Sequence, residues 1–165
     1  MINSADLAKA INAVWDASTL DATFQALWPA GVTASDFLVL HEVLAGGEQP
    51  WPFCVFEIPA SNTTQRMTKG NLDIWEEREA MVVFRVHTKA VSGDVRSPKQ
   101  IAAYLIEELA KVFGGHPTQV PTDLALDNGN HLHTRLENDF GVAEKDDWYV
   151  WTLSYMFMLD VPVMT

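Results

Sequence analysis

The C-terminal part of the sequence contains an alternating pattern that is unusually long for one strand. The twelve residues between Asp147 and Asp160 carry no formal charge. Every second residue belongs to one apolar set, and the residues between them form a mixed set. The apolar set consists of Tyr149, Trp151, Leu153, Tyr155, Phe157, Leu159 and Val161. Because strand side chains alternate with a period of two, this pattern predicts a β-strand buried on one face and half-covered on the other.

The length of this strand suggests a role outside the protomer. At ~3.3 Å per residue the strand extends roughly 45 Å, against a usual length of about 17–20 Å. A small domain seldom needs so long a strand for its own core, so part of it is expected to pair or pack against another chain. Met156 and Met158, on the mixed face, are candidate interface residues. The uncharged run is too short for a membrane-spanning helix, which needs about 20 residues.

Composition limits the possible functions. A chain of 165 residues is most simply one domain, and its net charge of −11 comes from 22 acidic and 11 basic residues. Basic residues never cluster in groups of more than two neighbours, so specific nucleic-acid binding and membrane binding are not expected. The single cysteine, Cys54, lies in the apolar run "FCVFEI" and is expected to be a buried, inert thiol. The N-terminus shows neither a secretory signal nor an anchor, which predicts synthesis in the cytosol.

Local patterns predict an α+β fold. Residues 4–17 and 20–28 have helical spacing, and Pro29 ends the second segment. Residues 97–113 predict the clearest helix, with Ser97 as cap, Pro98 in the first turn and glycines at its end. Alternation predicts strands at "FCVFEI", over 80–90 and at "HLHTRLEND", while 29–50 is compatible with either state. This order favours one domain, 1–165, with a mostly antiparallel sheet and helices packed on one face.

The polar composition and weak periodicity of residues 60–77, "ASNTTQRMTKGNLDIWEE", predict a long polar loop. Loops longer than about 12–15 residues in compact domains are usually functional or disordered. Two interpretations of Trp75 remain open: it begins the next strand and packs inside, or it belongs to an interaction loop. The second interpretation treats this loop as a basic surface for an acidic partner, mobile until assembly. Its candidate interface residues are Arg66, Met67, Lys69, Leu72 and Trp75.

The sequence offers one candidate metal site and no recognisable catalytic motif. His131 and His133 are two residues apart on a predicted strand, and His87 lies on another. In that strand Leu132, Thr134 and Leu136 are predicted to face inward, and His131, His133, Arg135 and Glu137 outward. A catalytic zinc site needs three protein ligands and a pocket. The alternative, that these histidines simply lie on a solvated strand face, fits the alternation better, so no metal, cofactor or catalytic residue is assigned.

The arrangement of these segments resembles a known family. An N-terminal helix leads through "LWPAG" to "PFCVFE", and a polar Ser/Thr-rich segment precedes "EREAMVVFRVHTKA". The helix "SPKQIAAYLIEELAKVF" and a final pair of strands ending in "WTLSYMFMLDV" follow. Over most of residues 4–161 this order resembles the tail terminator, tail completion and minor tail proteins of long-tailed bacteriophages and related prophages. The resemblance rests on the order of the elements and on local composition, such as "PFCVFE" before a polar segment. It identifies no functional residue.

The resemblance implies a structural virion protein and not an enzyme. Members of the family have an α+β fold and form rings, commonly hexamers, that cap the tail tube and help to join the tail to the head. The implied partners are further copies of the chain, the tail tube protein and head–tail connector proteins. The implied locations are the virion tail and, during assembly, the host cytoplasm. An acidic ring would let DNA pass without holding it, because like charges repel.

Two other functions stay open at this stage. One is a small metal-dependent enzyme or ligand-binding domain that uses His131 and His133 together with His87. The other is a different head–tail connector subunit built on the same kind of sheet. A connector and a terminator both need a ring and a partner surface, so the sequence does not separate them.

Overall fold

The computed structural model describes residues 4–42, 48–69, 73–145 and 147–162, and only the backbone of residues 4, 60–69, 73, 74 and 145. The helices are α1 (Ser4–Asp16), α2 (Leu20–Gln25) and α3 (Pro98–Phe113), with a 3-10 turn at Ala34–Asp36. The strands are β1 (Leu40–His41), β2 (Phe53–Lys69), β3 (Asp73–Lys89), β4 (Asn130–Lys145) and β5 (Trp148–Pro162). No helix in these ranges is long and apolar enough to span a membrane.

The described strands form one sheet in the order β1-β2-β3-β5-β4. Only the short β1 runs parallel to its neighbour, and the other pairs are antiparallel. The predicted α+β fold with a mostly antiparallel sheet is therefore confirmed. Within the ambiguous stretch 29–50, the only strand in the described part is Leu40–His41, and residues 43–47 lie outside the described residues.

One face of the sheet, the core face, packs against the helices. The alternation predicted for β5 is confirmed here, because Leu153, Tyr155, Phe157, Leu159 and Val161 are buried in the same cluster as α1, α2 and α3. The ring of Phe84 on β3 lies 4.7 Å from that of Phe113 on α3. The thiol of Cys54 is buried in this core, and burial raises its pKa.

Helix α3 begins and ends as its sequence predicts. Ser97 accepts a hydrogen bond from the Gln100 backbone N–H, and the Gln100 side chain accepts one from the Ser97 N–H, which completes a capping box. Gly114 has a φ of 128°, a conformation that side-chain-bearing residues rarely adopt. Its carbonyl accepts a 2.8 Å hydrogen bond from the buried Tyr155 hydroxyl, so the end of α3 is tied to β5.

The predicted loop over residues 60–77 is wrong, because this segment is an extended β-hairpin. Residues 60–69 of β2 pair with 73–81 of β3, with a register shift between Glu57 and Ala60 and another between Thr63 and Gln65. The register sets Arg66 opposite Glu76 and Lys69 opposite Asp73. Opposite charges across a strand pair are favourable, and backbone hydrogen bonds form without apolar side chains. The polar composition of residues 60–77 therefore belongs to a pair of strands and not to a loop.

The predicted facing of β4 is also wrong at its start. A register shift between His131 and His133 inserts an extra residue, which reverses the alternation. The His131 side chain is only 2% exposed, whereas Leu132 is 52% exposed. His131 Nδ1 accepts a 3.1 Å hydrogen bond from the Leu124 N–H, so Nε2 carries the proton that it shares with Thr134 Oγ1 at 2.7 Å. His131 is thus a structural residue that holds the loop before β4.

This difference between two neighbouring histidines can be tested by matched substitutions. Replacing His131 with alanine is expected to lower the free energy of unfolding by about 1–3 kcal/mol, because the buried Leu124 N–H loses its acceptor. Replacing His133, which is exposed, should change it by less than about 0.5 kcal/mol. Urea unfolding followed by circular dichroism measures both. Equal losses for the two variants would contradict the facing described for β4.

Candidate interaction surface

The second face of the sheet, the open face, has no helix packed on it among the described residues. Phe53, Val55, Val83 and Val150 lie on this face and are buried, yet none belongs to the cluster that contains the helices. Trp51, which precedes β2, is one of the side chains that cover this face, because its ring contacts that of Phe53. The pair Arg85–Glu57 crosses this face as an exposed ion pair.

The open face exposes apolar side chains toward the β4 edge. Met81 pairs with Met156, and Met158 follows on the same face, and all three are half-buried. Phe140 and Val142 on β4 are 51% and 47% exposed. Two groups of apolar side chains therefore lie on this face, separated by Asn138 and Ser154, and exposed apolar surface marks interaction sites on soluble proteins. The arrangement is suited to binding another macromolecular surface.

An aromatic cluster occupies the end of the open face where β2 begins. The ring of Phe53 stacks on His87 with centroids 4.8 Å apart, and Trp51 lies 4.8 Å from Phe53. Trp148 packs edge-on against Trp51 at 5.4 Å. The Lys89 ammonium lies 4.4 Å from the Trp51 ring centroid, a favourable cation–π distance. Trp and cationic residues in one patch are typical of interface centres.

His87 is the buried titratable group of this cluster. Burial lowers its pKa to about 4, and the neighbouring Arg85 guanidinium contributes in the same direction. Its Nδ1 is buried and has no hydrogen-bond partner among the described residues. His87 is therefore neutral at physiological pH, and protonation would place a charge between aromatic rings.

A hollow lies beside the aromatic cluster, at the same end of the sheet. It has a volume of about 590 Å³, which is within the ~300–1,000 Å³ range of ligand pockets. Its walls come from three separate segments: the end of α2, the turn before β2 and the turn after β3. The lining includes Leu27, Trp28, Pro29, Gln49, Pro50, Trp51 and Lys89. The Trp28 indole is fixed by a 2.8 Å hydrogen bond to the Pro52 carbonyl.

The interface residues chosen from the sequence fall into separate groups. Arg66, Met67 and Lys69 lie in the outer half of β2, and Leu72 lies outside the described residues. Trp75 is half-buried in β3, where the register sets it between Met67 and Pro162. Trp75 therefore lies near the start of the strand, as one of the two interpretations predicted, but it is half-buried and not packed fully inside. Met156 and Met158 lie on the open face, while the aromatic cluster and the hollow were missed by the sequence analysis.

The three histidines of the candidate metal site do not converge. His131 faces the core, whereas His133 and His87 lie toward the open face. His133 pairs with Met158 and His87 with Val150, eight residues apart on β5, which is roughly 26 Å at ~3.3 Å per residue. No group of three potential metal ligands occurs among the described residues. A site that uses these three histidines together is contradicted.

Comparisons with known proteins give a distant structural likeness. No protein-family model matches the sequence, and no curated protein matches it. Among solved structures, a chain from the virion of a native gene transfer agent (GTA) particle is similar at 15% identity, with a TM-score of 0.42. The match covers 87% of this chain and 92% of that one. At this identity and TM-score the likeness assigns no function to the chain.

The buried state of His87 has a measurable pH dependence. Its folded pKa of about 4 lies below the unfolded value near 6.5, so the unfolded chain binds more protons between these values. Stability is therefore expected to fall as the pH drops from about 6.5 toward 4. Replacing His87 with phenylalanine should make this loss smaller, as measured by thermal melts at pH 7, 5.5 and 4.5. An unchanged pH dependence in the variant would contradict a buried neutral His87.

Proposed function

We propose that this chain is a structural virion protein of a tailed phage or related particle, and that it acts as a tail terminator. In this role copies of the chain form a ring, commonly a hexamer in the family it resembles, that caps the tail tube. The observation that carries the proposal is the open face, a long sheet surface with exposed apolar side chains on which no described helix packs. A surface of this kind suits assembly with other subunits.

The order of segments supports the same proposal. An N-terminal helix, a hairpin, helix α3 and a final strand pair follow one another as in the tail terminator proteins that the sequence resembles. Among the described residues, the β3–β5 pairing ends at Trp75 and Pro162, whereas the β2–β3 pairing continues to Lys69 and Asp73. The proposed contact of this outer end of the hairpin is a neighbouring subunit or the tube.

Charge is compatible with a ring through which DNA passes. The chain has a net charge of −11. The two basic residues of the outer hairpin, Arg66 and Lys69, lie opposite Glu76 and Asp73 in the strand register, so acidic residues accompany them in this segment. An acidic lumen repels the phosphate backbone and does not retain it. The proposed partners are other copies, the tail tube protein and head–tail connector proteins.

Removal of the gene from the phage that encodes it tests the proposal. A terminator stops tube growth, so its loss is expected to give tails of irregular length and heads without tails, as seen by electron microscopy. Supplying the wild-type gene should restore tails of one length. Tails of normal length that fail to join heads would instead indicate a connector subunit. Normal infectious particles without the gene would contradict both functions.

The hairpin tip can be tested in the same assay. A variant that joins Met67 to Trp75 through an Asn-Gly turn removes only residues beyond the β3–β5 pairing, so the chain should remain folded. If the tip contacts the tube end or a neighbour, this variant should fail to restore tail length. Full restoration would show that the hairpin tip makes no essential contact.

A further inference from the structure

We propose that the hollow beside the aromatic cluster is a binding site for an aromatic carboxylate, a ligand in which a short link joins an aromatic ring to a carboxylate. Two sources carry this chemistry: a small organic acid and the C-terminal aromatic residue of another polypeptide. The site lies within one protomer, so the proposal goes beyond the proposed ring and does not depend on it.

The walls of the hollow are mainly apolar and are held in place without a ligand. The Trp28 indole N–H donates a 2.8 Å hydrogen bond to the Pro52 carbonyl. The Trp51 ring contacts those of Phe53 and Trp148, with centroid distances of 4.8 and 5.4 Å. Indole and proline rings favour an aromatic ligand ring, and walls that are already fixed reduce the ordering cost of binding.

Lys89 gives the hollow its charge. Among the described residues it is the only charged side chain in the lining. Its ammonium lies 4.4 Å from the Trp51 ring centroid and forms no salt bridge within the described part of the chain. Because an ammonium has three N–H donors and the ring covers one side of it, donors remain for a ligand oxygen. The hollow therefore favours a ligand with a carboxylate next to its apolar group.

Two carboxylates of the same chain are neighbours of this site, and neither pairs with Lys89. The register sets Trp148 opposite Lys89, so Asp147 is adjacent, and Glu48 comes just before the wall residues that precede β2. Both carboxylates are exposed, and no salt bridge joins either of them to Lys89. The ammonium lies over an indole ring instead, so it is available to the carboxylate of a ligand.

The acidity of the whole chain is compatible with an anionic ligand. The net charge of −11 repels anions at long range. At physiological salt, however, charges are screened over a Debye length of about 8 Å. The groups close to the hollow therefore decide the interaction, and Lys89 is the charged group in its lining.

Titration of the wild-type protein with matched ligands tests the site. The probes are phenylacetate, its neutral amide phenylacetamide, and acetate, which keeps the charge and lacks the ring. Isothermal titration calorimetry at neutral pH should show that phenylacetate binds about tenfold more tightly than the amide, because hydrogen bonds to charged groups are stronger. Acetate should not bind measurably at millimolar concentration. Equal affinity for the acid and the amide, or no binding of either, overturns the proposal.

Variants connect the binding to Lys89. Lys89→Gln removes the charge and should bind the acid and the amide alike. Lys99→Gln, the same change at an exposed lysine of α3, should keep the preference for the acid. Asp147→Asn should change the affinity by less than about threefold, because exposed charges interact weakly. A tenfold gain in that variant would show that Asp147 already occupies Lys89, which overturns the proposal. Circular dichroism melts verify that all variants fold.

The indole N–H signals of isotope-labelled protein locate the ligand and identify its source. In NMR spectra phenylacetate should shift the signals of Trp28 and Trp51 and leave that of Trp75, at the other end of β3, unchanged. Binding without shifts at Trp28 and Trp51 overturns the site. An N-acetylated tripeptide that ends in phenylalanine is then compared with phenylacetate. Tighter binding of the tripeptide supports a polypeptide C-terminus as the ligand, and tighter binding of phenylacetate supports a small acid.

Discussion

The pairing of β3 with β5 is the interaction on which the rest of the structure depends. It joins fifteen consecutive residues, from Trp75–Pro162 to Lys89–Trp148, without a register shift. A slip of one residue would turn every core side chain of a strand to the other face. Because this register holds, Phe84 and Tyr155 stay under α3, while Met81 and Met156 stay together on the open face.

The lengths of the elements explain why one face remains uncovered. Helix α3 has 16 residues and extends about 24 Å, whereas a strand of 17 residues such as β3 extends roughly 55 Å. The helices of this chain cover the middle of one sheet face and leave the other without a partner in the described residues. Strand length beyond the needs of the core is the feature on which the proposed assembly with other chains rests.

The sequence predicted those elements whose signals are local. Strand β5 was recognised from its periodicity. Helix α3 was recognised because its periodicity, cap and stop residues agree within one segment. The hairpin was missed because its pairing depends on complementarity between two polar segments. The direction of the His131 side chain was predicted wrongly because one extra residue reversed the alternation. The hollow beside the aromatic cluster combines Trp28, Trp51 and Lys89 from distant segments, so no local pattern marks it. The opposite charges of Arg66 and Glu76 were the available signal for the hairpin.

We propose that this chain acts as a ring of identical subunits, and native mass spectrometry of the purified protein tests this proposal most directly. The account predicts a single closed oligomer, with six copies if it follows the family it resembles, and no prominent dimer. A closed ring leaves no subunit contact unfilled, so larger species should be absent at higher concentration. A protein that remains monomeric at all accessible concentrations, or that forms an open-ended series of sizes, would contradict the account.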